Sequence, residues 1–75
     1  MADYTKRVRD LREDRDLTQQ QVARVLRTTQ SHYSQYELGK REIPVHHIIT
    51  LCQLYDVSAD YILGFTDTAK KLPKK

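Results

Sequence analysis

The sequence predicts an all-α domain, and three observations carry that prediction. Apolar residues recur at three- and four-residue spacing in each segment between loops. Residues that cap helices stand at the heads of those segments. No segment alternates apolar and polar residues as a half-buried strand requires. The expected architecture is compact, with five short helices.

Helix 1 is expected from Tyr4 to about Arg15, with Asp3 as its N-cap and Tyr4, Val8 and Leu11 on one buried face. Thr18 opens helix 2, where Gln21 completes a T-x-x-Q capping box. Val22, Val25 and Leu26 are expected to face inward, and the small Ala23 lets the next helix cross closely. Thr28-Thr29 breaks the pattern, and Thr29 caps helix 3, roughly Gln30 to Leu38. Tyr33 and Tyr36 form its inner stripe; Gln30, Ser31, Ser34 and Gln35 fall on the opposite side. Gly39 supplies a left-handed terminator.

Pro44, read at a first-turn position, starts helix 4. Its inward row is Val45, Ile48, Leu51, Cys52 and Tyr55, and its wet side is His46, Thr50 and Gln53. After the link Asp56-Val57-Ser58, Ser58 caps a last helix over Ala59–Leu63, stopped by Gly64. Residues 1–66 are expected to form the folded domain and residues 67–75 a flexible basic tail.

A chain of 75 residues is close to the size at which one apolar core just suffices, which argues against an internal cofactor cavity. The single cysteine, Cys52, excludes an intrachain disulfide and suits a reducing compartment. No apolar run approaches a membrane span, and the charged start is no signal peptide, so the expectation is cytoplasmic. The net charge of +3 is unevenly spread. Arg24, Arg27, Lys40 and Arg41 face only Glu37 across residues 24–41, whereas residues 42–69 carry Glu42, Asp56, Asp60 and Asp67 with no Lys or Arg. Positive charge thus concentrates around helices 2 and 3, where a phosphate backbone would be attracted.

The segment from Thr18 to Arg41 places two short amphipathic helices across a turn of about three residues, with amides and hydroxyls on the outer face of the second. Such a face suits base edges in the major groove, since glutamine can accept from adenine N6 while donating to N7. Lys40 and Arg41 suit phosphates. No paired carboxylates, nucleophile–base arrangement or phosphate loop points to an enzyme. His46, His47 and Cys52 lack the spacing of a zinc set, so no metal or other cofactor is expected, and no small-molecule ligand.

The segments V-R-D-L-R, L-T-Q-Q-Q-V-A, Y-E-L-G-K-R-E-I-P and L-Y-D-V-S-A-D-Y-I-L-G together resemble the lambda-repressor-like, Cro/XRE-type helix-turn-helix family. The resemblance implies a five-helix lambda-repressor-like domain whose helices 2 and 3 are the helix-turn-helix. It implies base reading by Gln30, Ser31, Ser34 and Gln35, and phosphate contacts by Gln19, Thr29, Lys40 and Arg41. Gln19 should also brace Gln30, and Arg12–Glu37 should tie helix 1 to the end of helix 3. The chain departs from the pattern at Arg27, where a left-handed glycine is common, at Thr28 and at Tyr33.

The function so implied is a sequence-specific double-stranded DNA-binding transcriptional regulator of bacterial or phage type, read as a repressor. It would act as a homodimer on a near-palindromic operator, with Ile62, Phe65 and Leu72 as dimer contacts. The alternative is a helix-turn-helix protein-interaction module, such as an antitoxin or a partner-binding regulator.

Overall fold

A computed structural model describes residues 4–67 and places five helices there: α1 (Tyr4–Asp14), α2 (Gln19–Val25), α3 (Gln30–Glu37), α4 (Val45–Tyr55) and α5 (Ala59–Leu63). No strand occurs among the described residues. The expected cap Asp3, Leu72 and nearly all of the expected tail lie outside them.

Three helices start on the side chains that the sequence offers. The Thr18 hydroxyl accepts from the Gln21 N–H at 3.1 Å while the Gln21 side chain accepts from the Thr18 N–H at 2.8 Å, a complete capping box. The Thr29 hydroxyl accepts from the His32 N–H, and that of Ser58 from the Tyr61 N–H, each at 3.1 Å.

The helix ends share one device. Asp16, Arg27, Gly39, Asp56 and Gly64 follow the five helices in turn, and each has a left-handed backbone. The next residue then donates back into the helix: Leu17 to Arg12, Thr28 to Ala23, Lys40 to Gln35, Val57 to Cys52, and Phe65 to Asp60. These six-to-one bonds are Schellman closures, which satisfy carbonyls left over at a helix end. Only two of the five left-handed positions are glycine, and Arg27, at φ 60°, is the one neither glycine nor aspartate.

The core joins Val8 and Leu11 of α1 with Val22, Ala23, Tyr33, Tyr36, Leu51, Tyr55 and Ile62 from the other helices. α1 lies against α3 and α5, α2 against α3, and α4 against α5. The loops add Leu26, Ile43 and Val57, all buried. Arg7 of α1 and Arg15, in the turn just after it, secure the ends of the neighbouring helices. Arg7 donates to the carbonyls of Tyr61 and Thr66 at 3.0 and 2.8 Å, with its guanidinium 4.2 Å from the Tyr61 ring centre. Arg15 donates to the Tyr55 carbonyl at 2.9 Å. Cations at C-terminal carbonyls also complement the helix dipole.

Three expectations need correction. Val25 is 47% exposed and Val45 75% exposed, rather than inward. Val22, Ala23 and Leu26 already define the buried sector of α2, and a step of three residues from Val22 carries Val25 about 60° past its edge. Val45 stands in the same relation to the Ile48–Leu51–Tyr55 row. Pro44 is not in the first turn but is the N-cap of α4, extended at φ −60° and ψ 151° and without a side-chain cap bond.

Candidate nucleic-acid interface

The site is built outward from a buried charge. The Glu37 side chain, at the end of α3, is 3% exposed, and that of Arg12, on α1, is 12% exposed. Arg12 grips the carboxylate with two bonds, Nε to Oε2 at 2.7 Å and Nη2 to Oε1 at 3.0 Å. The Tyr33 hydroxyl donates to Oε2 at 2.5 Å, and Gln19 Nε2 donates to Oε1 at 3.1 Å. Burial pushes the Glu37 carboxyl up, but the bonds from Arg12, Tyr33 and Gln19 outweigh it and hold the group below the usual carboxylate range. Burial, then the bond to Glu37, pushes the Tyr33 hydroxyl up. Glu37 therefore stays an acceptor, and α3 is clamped to α1 and α2 by one ionised group.

Gln19 carries this order to the surface. Its Oε1 accepts from Gln30 Nε2 at 3.4 Å, so the first residue of α3 is braced by α2. Gln30 and Ser31 are exposed, and Ser34 and Gln35 are half-buried at the edge of the same face. Together with Leu38 and Lys40 they line a shallow open depression of about 440 Å³. A second depression, of about 720 Å³, lies between the start of α1 and the loop after α3, with Tyr4, Gly39, Lys40 and Arg41 among its walls. Lys40 borders both.

The structure brings all four expected base-facing residues together and places Gln19, Thr29, Lys40 and Arg41 around them. It adds two things that the spacing did not reveal. Leu38 is 64% exposed beside the amides, an apolar group among polar ones. Its place four residues after Ser34 put it on this face, but an apolar residue at a helix end reads equally well as core. Arg41 is not simply an exposed cation: its Nε donates to Gln35 Oε1 at 2.6 Å. Thr29 has its hydroxyl oxygen engaged in the α3 cap.

Behind the face, the Tyr36 ring lies 5.4 Å from His32 and 5.9 Å from His47, whose ring is 4.2 Å from that of His46. Burial, with His46 and His32 nearby, holds His47 below its ordinary 6.5. No group of three or more His, Cys, Asp or Glu able to hold a metal occurs among the described residues. Ile62 is fully buried and cannot be the dimer contact expected of it. Its inward position on α5 completes the core. Phe65 is 76% exposed. No helix among the described residues is long and apolar enough to cross a membrane.

A capped seven-residue helix, a tight turn and a second helix with its polar flank exposed define a helix-turn-helix protein. The helix-turn-helix family model matches residues 8–62, and the chain belongs to that family. It is 42% identical over 64 residues to the "Uncharacterized HTH-type transcriptional regulator YobD" of Bacillus subtilis (strain 168), covering 85% of this chain and 57% of that protein. It is 36% identical over 76 residues to the "Uncharacterized HTH-type transcriptional regulator YqaE" of the same organism, covering 92% of this chain and 66% of the relative. The "HTH-type transcriptional regulator ImmR", also of that strain, is 33% identical over 66 residues, with 88% and 52% covered. The chain thus spans between about half and two thirds of the length of these curated relatives. No solved structure gives a significant match.

Proposed function

We propose that this domain, taken as residues 1–66, is the DNA-binding part of a transcriptional regulator, acting as a repressor and reading double-stranded DNA with the outer face of α3. The observation that carries the reading is the braced Gln30. Because Glu37 only accepts, Gln19 must turn its amide nitrogen inward and its oxygen toward Gln30. Gln30 spends one amide hydrogen on Gln19 and keeps its oxygen and a second hydrogen, the pair that adenine N6 and N7 require. Leu38 is suited to a thymine methyl group, Ser31 and Ser34 to base edges or phosphates at short reach. Gln19, Thr29, Lys40 and Arg41 meet the backbone on either side.

One copy offers a small surface, so useful specificity requires a homodimer on a near-palindromic operator, with half-sites about 34–36 Å apart. The second reading is a protein-interaction module. It is favoured by Val45 and Ile49, 75% and 53% exposed one turn apart on α4. The test is site selection from random duplexes at fixed salt, with variants compared on the selected site and on scrambled DNA. Gln30→Ala is expected to abolish one adenine preference, about tenfold or more. Lys40→Ala is expected to weaken all sequences alike and to flatten the salt slope by about one unit. Equal losses on both DNAs for Gln30→Ala contradict base reading, and a salt-insensitive domain that selects no DNA supports the second reading.

A further inference from the structure

We propose that Arg41 is a positioning residue that fixes the amide of Gln35 so that it reads guanine rather than adenine; this rests on the DNA-binding reading above. A glutamine amide has two orientations of nearly equal shape, and only its hydrogen-bond partners decide between them. Arginine donates and never accepts. The atom of Gln35 that faces Arg41 Nε at 2.6 Å is therefore its oxygen, and turning the amide over would set N–H against N–H. Gln35 then presents its nitrogen, with both hydrogens uncommitted to Arg41, as the leading polar group on its flank of the reading face.

Guanine offers two acceptors, O6 and N7, on its major-groove edge, whereas adenine places the N6 donor beside N7. An amide that leads with its nitrogen can donate to both acceptors of the first edge. On the second it finds one acceptor, N7, beside a donor that its oxygen, with one lone pair already held by Arg41, is poorly placed to accept. Gln30 is held in the opposite sense, since its nitrogen donates to Gln19 and its oxygen is left for a base donor. Two glutamines on one helix thereby acquire different preferences through neighbours that need not touch a base themselves. Arg41 keeps its terminal Nη1 and Nη2 groups for a phosphate while Nε holds Gln35, so one side chain couples backbone position to base choice.

The experiment selects sites from random duplexes with the intact chain and with Arg41→Ala, Gln35→Ala and Gln30→Ala, all at one salt concentration. The position lost in Gln35→Ala identifies the base pair that Gln35 reads. There the unaltered chain is expected to favour guanine over adenine by about tenfold. Arg41→Ala is expected to bring that ratio to about one or to invert it, with the adenine read by Gln30 unchanged. A cation that only neutralises phosphate would lower affinity on every sequence and leave the ratio where it was; that result overturns the proposal. So does an adenine preference at this position in the unaltered chain. Failure of the unaltered chain to enrich any sequence removes the DNA-binding reading itself, and this inference with it.

Discussion

At the scale of single residues, the two buried tyrosine hydroxyls give opposite expectations. That of Tyr33 donates to an ionised carboxylate, whereas that of Tyr55 is buried without a hydrogen-bond partner among the described residues. Burial, with the Glu37 carboxylate nearby, pushes the Tyr55 hydroxyl up to about 12. Tyr33→Phe should cost about 1.5–3 kcal/mol, the range for a bond to a charged group, while Tyr55→Phe should be neutral or slightly stabilising. Chemical denaturation of both variants checks the contrast. Acidification acts on two other residues. His47 and Glu37 are both held below their ordinary values of 6.5 and 4.5, so each binds protons less readily folded than unfolded. Their contributions are complete above those values and are lost as pH falls through the lower folded ones. Stability should therefore decline first below about pH 6.5 and again below about pH 4.5. The denaturation midpoint followed against pH should show both stages, and His47→Gln should remove the first.

At the scale of elements, helix existence and the starts of α2, α3 and α5 were legible because they depend on local chemistry. Thr18, Thr29 and Ser58 announce their caps within four residues of sequence. The inner stripe of Tyr33 and Tyr36 and the polar residues opposite were likewise readable, whereas the Arg12–Glu37 tie, between residues 25 apart, was implied only by the family resemblance. What could not be read were choices set by packing between helices. Val25 and Val45 carry the right spacing but sit one step past sectors that other residues fill, and a single chain gives no sign of which edge is dry. The Arg41–Gln35 bond joins a loop to a helix and has no periodic signature. Arg27 shows the reverse case. Its departure from glycine marks a left-handed terminator, found at φ 60°. A non-glycine residue there costs about 1–2 kcal/mol, offset in part by the greater freedom that glycine gives the unfolded chain. Arg27→Gly should accordingly raise stability by about 0.5–1 kcal/mol, visible as a higher thermal midpoint. An unchanged or lower midpoint would show that the arginine side chain contributes contacts that outweigh the strain.

At the scale of the whole molecule, one line of hydrogen bonds organises both stability and recognition. It runs from Arg12 through Glu37 and Gln19 to Gln30, so the charge that anchors α3 also orients its first reading residue. Arg12→Ala would leave Glu37 buried and unpaired, at about 3–5 kcal/mol, a large part of what a domain this small possesses. Lys40, which lines the depression with Gln30 and Gln35, and Arg41, bonded to Gln35, share a side with the outer flank of α3, while the acidic residues between 42 and 67 follow them in sequence. The most direct test of the central claim is nuclear magnetic resonance of the nitrogen-15-labelled domain during titration with its selected duplex. The side-chain amides of Gln30 and Gln35 and the backbone amides from Gln30 to Gln35 are expected to shift most, with those of α5 nearly still. Shifts centred on Val45 and Ile49, with α3 unmoved, would contradict it.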